Sequence, residues 1–405
     1  MIGIIFSSLI GLLIYFNPID QKSIANLPLL TVFLVTTAFL LTIVQVLTTL
    51  FAWRSLQYGE ERHSPRLIET FMSDRLLLIA NSLLLLFFLF TYLVVADFLV
   101  TNYFNPTVLL IIWTLALGAA IDLLHFVFKR VQYFLDPFFV VGQTVKRAAH
   151  SIRQEEKVEI LQWVDVLTET ALKSIGHNQI SLAQEALDGI KQTTATFIEA
   201  AKSIGHHLEE SSDDLIGYTL YYISQRLEMV FNAAVEKKLD PLVGGIISLF
   251  GKIALEASKL DITLTTNPLS IMGKLAQKAQ RHEMEEVAGR AQLTFVEIGR
   301  ILTQERDITY QEIKDPFLIM IKTMKEIAKE TFRTDKSLGI ALLTAPFEQM
   351  KGFFSQGKAA EHQDKDLIVN ALNAVLEEFA ALQEVLQTLP DLQKMVQNPP
   401  ESEEL

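Results

Sequence analysis

Four apolar stretches open the chain, and a helical alternation of apolar and polar residues fills the rest. Residues 2–16 form an unbroken apolar run that Asn17-Pro18 ends. At 1.5 Å per residue that run reaches roughly 22 Å, short of the ~30 Å hydrocarbon core of a bilayer. No Lys or Arg stands ahead of it and no small-residue cleavage site follows, so a signal peptide is disfavoured. The run is expected to be a short span that recruits its flanks, with a re-entrant or interfacial helix as the alternative. Residues 28–52, 76–96 and 107–128 are each long enough to cross. Pro28 falls in a first helical turn, where its missing N–H costs nothing, while Asp97 closes the third run and Lys129-Arg130 the fourth.

From Leu135 onward apolar residues recur at helical spacing with few alternating β-branched runs. The pattern predicts four helix-turn-helix units. One helix ends near Ile175 and pairs with 182–204 across Gly176-His177-Asn178; 223–235 faces 242–260 across residues 236–241. Residues 271–280 and 287–302 flank Arg281-His282-Glu283, and 317–332 and 338–354 flank residues 333–336. Second helices therefore start at 182, 242, 287 and 338, a spacing too uneven for a strict repeat. The prediction is an irregular array or bundle of helical hairpins. A last amphipathic helix, 366–389, ends at Pro390, and the Pro- and Glu-rich residues 391–405 are expected to form a disordered acidic tail.

Charge follows the same division. Only five of the 35 Lys and Arg and seven of the 47 Asp and Glu lie within residues 1–128, so the later part carries −10 of the net −12. The predicted organisation is a transmembrane domain over 1–134 and an all-helical, water-facing domain over 135–390. An acidic domain disfavours nucleic acid and anionic surfaces as its partners, since both want a basic face. The absence of Cys removes disulfides, thiolate metal sites and cysteine nucleophiles. The connection between the second and third spans, 53–75, holds four Arg, whereas that between the third and fourth holds no Lys or Arg. By the positive-inside rule the Arg-bearing loop and everything after Lys129 face the cytoplasm.

That loop carries a recognisable sequence. Leu56, Gln57, Ser64, Pro65, Arg66, Leu67, Phe71, Asp74 and Arg75 fit, without a gap, a pattern close to A-L-Q-x6-S-P-R-L-L-x2-F-x2-D-R, with Ser55 and Ile68 as conservative replacements. The chain thereby resembles an uncharacterised family of predicted bacterial integral membrane proteins. Leu124-His125 and Val131-Gln132 are similar to a second segment of that family, and residues 253–257 with Asn267-Pro268 to a third. The resemblance implies a multi-pass protein of the bacterial inner membrane and implies no reaction.

Several polar groups inside the spans are candidates for function. In the second, Thr31, Val35, Ala38, Thr42, Gln45 and Thr49 share one helical face. Such groups need partners in lipid, so that face either glues helices together or lines a path. In the fourth, Thr114, Gly118, Asp122, His125 and Lys129 share a face. A carboxylate roughly 9 Å inside Phe128 must be paired, protonated or wetted, and Asp122 and His125, one turn apart, can share a proton. A structural pair near the interface, with Lys129 snorkelling, is the alternative. In the loop, Ser64 is expected to cap a helix starting at Pro65 and Asp74 to pair with a neighbouring Arg, or else the Arg cluster binds an anionic ligand or lipid headgroup. Asp97 is expected to be a solvated helix end. His206-His207 point about 100° apart on a helix and are expected to face solvent rather than hold a metal. No phosphate-cradling loop, nucleophile elbow or metalloprotease signature occurs, so neither an enzyme nor a cofactor is expected.

The sequence therefore predicts an all-α chain of polytopic membrane helices followed by a cytoplasmic helical domain. Its leading functional expectation is a homo-oligomeric channel or transport-type protein whose path passes Thr42, Gln45, Asp122 and His125, beside the loop residues Gln57, Ser64, Pro65, Arg66, Asp74 and Arg75. The competing expectation is a membrane-tethered scaffold or signalling adaptor whose helical domain binds a protein partner. The expected partners are the bilayer and a second copy of the chain.

Overall fold

The structure, a computed structural model, describes residues 2–16, 27–101, 104–154, 157–204, 211–334 and 339–397. These residues are predominantly helical, with no strand among them. Contacts divide the chain into Met1–Gln143 and Thr144–Leu405, with the boundary inside a helix, Pro137–Arg153.

The first unit holds α1 (Ile2–Phe16), α2 (Leu27–Arg62), the short α3 (Leu67–Met72), α4 (Arg75–Ala96) and α5 (Pro106–Leu135). Among the described residues three helices are long and apolar enough to cross a membrane: 31–62, 75–99 and 106–135. The first covers all but the first three residues of the predicted run 28–52, and the other two contain 76–96 and 107–128. Two boundaries differ. The chain past Trp53 continues α2 for almost three more turns, because Ala52 and Leu56 remain buried and Gly59 lets α3 lie against it. A Cβ on Gly59 would lie 2.9 Å from Leu67 Cδ2. At its other end α4 passes into a π turn, Asp97–Thr101, with Asp97 only 8 % exposed; it is therefore a buried residue and not a solvated end.

Pairing within the unit follows small and aromatic residues. α1 runs antiparallel to α5: Gly3 meets Gly118 and Gly11 meets Ile111. The small residues Gly3, Ser7 and Gly11 recur every fourth position, and a Cβ on Gly118 would sit 1.9 Å from Ser7 Oγ and 2.5 Å from the Gly3 carbonyl oxygen. Small residues at this spacing let helix backbones approach closely in lipid, where dispersion replaces the hydrophobic effect as the driving force. Between α4 and α5 the buried Trp113 indole donates to Thr91 Oγ1 at 3.0 Å, and Phe87 packs beside the indole.

The second unit begins within α6 (Pro137–Arg153) and continues with α7 (Lys157–Gly176), α8 (Ile180–Ile204), α9 (Ser211–Glu236), α10 (Asp240–Ala257), α11 (Thr266–Arg281), α12 (Glu285–Gln304), α13 (Lys314–Thr334), α14 (Ile340–Gly352) and α15 (Lys365–Gln397). The hairpins predicted from the sequence are present as α7/α8, α9/α10, α11/α12 and α13/α14. They form two layers. The first helices pack in the order α7, α9, α11, α13, α15, and the second helices pack in the order α8, α10, α12, α14. Phe231, Phe250, Phe295 and Phe317 are fully buried between the layers. α15 continues past Pro390, and residues 398–405 of the expected tail lie outside the described residues, as do His206 and His207.

Uneven repeat length conceals a common turn. The amide of Gln179 donates to the Ser174 carbonyl (2.8 Å) and that of Asn178 to Ile175 (3.1 Å). Leu239 and Lys238 make the same bonds to Ala234 and Val235, and Met284 and Glu283 to Ala279 and Gln280. Each turn places one residue at positive φ: Asn178 (59°), Lys238 (53°) and Glu283 (64°). This is the Schellman arrangement, which satisfies the last carbonyls of the first helix while reversing the chain. Consecutive turns are also tied together. Lys237 Nζ donates to the carbonyls of Ile175 (2.8 Å) and Gly176 (2.7 Å), supplying a cation at the negative end of α7.

Candidate functional site

The polar groups singled out in the sequence fall into two places in the first unit. One lies along the helices and the other at the end where α2, α3, α4 and α5 meet.

Along the helices, Asp122 meets α1 and not His125. The amides of Gly3 and Ile4 donate to its two carboxylate oxygens at 3.0 and 3.2 Å. The first amides of a helix have no partner within it, and in hydrocarbon there is no water to supply one. An acidic residue 118 positions away thus caps α1 and brings negative charge to the positive end of its dipole. His125 is exposed on the unit's surface. Gly118 makes the cap possible, because any side chain there would hold α1 away.

Of the predicted stripe on α2, Thr42 and Thr49 donate to the carbonyl four residues earlier, at 2.8 and 2.9 Å, as do Thr36, Thr37 and Thr48 elsewhere on the helix. A threonine bonded in this way has its hydroxyl proton satisfied without a second helix or water. The face still turns partly inward, with Ala38 buried and Thr42 and Gln45 half-buried. Gln45 does find a partner across helices: its Nε2 donates to Asn81 Oδ1 on α4 at 3.4 Å. The crevice beside it, walled by Leu41, Leu84, Phe88, Ala120 and Leu124, has no room for a water molecule. Interhelical polar pairs in lipid average about 0.6 kcal/mol. Gln45→Leu is accordingly expected to cost under about 1 kcal/mol in unfolding titrations of the detergent-solubilised protein.

At the helix ends the loop forms an ordered knot. Ser64 does not cap α3. The chain breaks before Pro65, Arg66 turns through φ 59°, and α3 starts only at Leu67. The capping falls to Glu60, whose carboxylate accepts from the amides of Arg66 (3.0 Å) and Ile68 (3.4 Å). Arg66 in the left-handed region cannot continue a right-handed helix begun at Pro65, which moves the helix start to Leu67. Ser64 is buried, 2 % exposed, and Pro65 is half-buried under the turn. Asp74 is the N-cap of α4 and accepts from Leu76 (3.0 Å) and Leu77 (3.4 Å). It also accepts from Arg130 Nε of α5 at 2.6 Å. The Arg130 guanidinium lies over the rings of Phe134 and Phe139, and Phe134 meets Phe71 of α3 edge-on at 5.4 Å. The expected pairing of Asp74 with a neighbouring Arg is corrected: its partner is Arg130 of α5, 56 residues away. Gln57 and Arg75 are exposed.

Neither Glu60 nor Arg130 stood among the candidate site residues. Glu60 follows Gly59 in the stretch expected to be loop, and only the continuation of α2 brings it under α3. Among the described residues no cluster of His, Asp and Glu could hold a metal ion. The chain matches no protein-family model, no curated protein and no solved structure.

Proposed function

We propose that the chain is a membrane-anchored scaffold: the first unit fixes it in a bilayer and the two-layer helical array binds a partner protein. The observation that carries this reading is the fate of the polar groups in the spans. Asp122, Gln45, Thr91, Trp113, Thr42 and Thr49 are engaged by partners within the unit, which supports a structural role for these groups over a lining of a wetted path. The array supplies open surface instead. A groove of about 240 Å³ between α8 and α10 is lined by Asp188, Lys191, Gly245, Ser248 and Lys252. Stacked helical hairpins present surfaces of this kind to extended partners. The abundance of Arg in 53–75 places the array on the cytoplasmic side of a bacterial inner membrane in this reading, and the loop residues carry the resemblance to the integral-membrane family.

The exposed His125, one turn beyond Asp122, favours the competing reading, a conduction path formed between copies of the chain. One pair of measurements separates the two. A Cβ on Gly245 meets nothing within 4 Å, so Gly245→Arg is expected to leave the fold intact while filling the groove. In the scaffold reading that substitution abolishes capture of a specific partner by the full-length protein. Ion flux through liposomes holding the purified protein, lost on Asp122→Asn with insertion unchanged, would establish the channel and defeat the scaffold.

A further inference from the structure

Cations at one end of the membrane unit outnumber the acids left to meet them. Arg54 of α2, Arg75 of α4 and Lys129 of α5 are exposed and make no ion pair among the described residues. Helical rise puts them at one level. Arg75 and Lys129 each stand sixteen residues, roughly 24 Å, from the Thr91–Trp113 hydrogen bond that joins their helices. Each is also the chain neighbour of one member of the Asp74–Arg130 pair. From the Gln45–Asn81 contact, Arg54 lies roughly 13 Å along α2 and Arg75 roughly 9 Å along α4, toward the same end.

The nearby carboxylates are already committed. Glu60 holds the amides of Arg66 and Ile68, Asp74 holds two amides and Arg130, and Glu69 stands 3.9 Å from Arg66. Glu61 is exposed and is followed in the chain by Arg62. Trp53 and Tyr133, both large exposed aromatics, stand next to Arg54 and one turn past Lys129. Aromatics of this kind settle at the headgroup level of a bilayer, which sets the three cations at phosphate depth.

We propose that Arg54, Arg75 and Lys129 form a collar that binds the phosphate groups of anionic phospholipids. The inference takes from the preceding section only the anchoring in a bilayer. Topology signalling during insertion explains an excess of Lys and Arg at this end equally well, but it leaves no lipid preference in the mature protein.

The test is native mass spectrometry of the full-length protein in detergent, titrated with phosphatidylglycerol or phosphatidylcholine of the same acyl chains. About tenfold tighter phosphatidylglycerol binding is expected, falling to within about twofold in Arg54→Gln/Arg75→Gln/Lys129→Gln and restored by Arg54→Lys/Arg75→Lys with Lys129 intact. If the triple variant does not fold, the preference of the parent protein must shrink as salt rises from about 50 to 500 mM, since exposed charges are screened. Equal binding of the two lipids by the parent overturns the proposal, as does a preference that survives the triple substitution. Displacement of the lipid by equimolar inorganic phosphate assigns the collar to free phosphate and overturns it too.

Discussion

Asp122→Ala is expected to release α1 from α5. Two amides at the start of α1 would lose their carboxylate acceptor. The absence of Cys makes a direct measurement possible. A Cβ on Gly11 lies 3.7 Å from Ile111 Cγ2, an ordinary contact, so Gly11→Cys with Ile111→Cys should cross-link readily on mild oxidation. Adding Asp122→Ala should reduce that yield severalfold. Asp122→Asn should fall between, because its one amide oxygen can still accept from α1. Gly118→Leu should separate the helices with Asp122 intact, since even a Cβ there would lie 1.9 Å from Ser7 Oγ. Unchanged cross-linking in Asp122→Ala would mean that dispersion between the small residues alone holds α1, and that Asp122 is free for another role.

How much of this was legible in the sequence depends on the distance over which each group finds its partner. Apolar run length located the membrane-type helices, and helical periodicity located the hairpins, because both signals are local. Their order in two layers was obscured by the unequal lengths of α8 and α10, although the three Schellman turns repeat bond for bond. The polar groups were harder. A threonine in a helix can bond its own backbone, as Thr42 and Thr49 do, so a stripe of hydroxyls does not by itself say what its face meets. That Asp122 needs a partner is legible in the sequence, but His125 is exposed and the donors come from about 118 positions earlier in the chain. A usable signal was present in Gly3, Ser7 and Gly11 opposite Gly118, since small residues at every fourth position mark close helix packing. In the loop, the residues that carry the family resemblance are largely those that build the knot: Leu67 under Gly59, Phe71 against Phe134, and Asp74 on α4 and Arg130. That pattern reports a way of joining helices, and its chemistry follows from the joint.

Asp74→Ala tests the joint and carries the second large effect. Three interactions end on this carboxylate: two amides of the first turn of α4 and the Arg130 guanidinium. Loss of an N-cap costs typically ~1 kcal/mol. Removing one partner of a buried ion pair costs about 3–5 kcal/mol, because the other charge is left uncompensated. The Asp74 side chain is 8 % exposed but that of Arg130 is 24 %, so solvent recovers part of the second term. A total of about 3 kcal/mol is expected in unfolding titrations of the full-length protein in detergent. Asp74→Asn keeps the cap and loses the charge, and should cost less. Arg130→Ala leaves Asp74 its two amides but strips the cation from the rings of Phe134 and Phe139, and should also cost less than Asp74→Ala. Loosening the knot should further expose Arg66 and Arg75 to trypsin, with cleavage between α2 and α4 faster than in the parent. The ordering Ala above Asn is decisive. A cap alone makes the two substitutions differ while Arg130→Ala is silent; an ion pair alone makes Asn as costly as Ala. Only a residue that caps one span and holds the cation of the next produces both a gap between Ala and Asn and a measurable loss in Arg130→Ala.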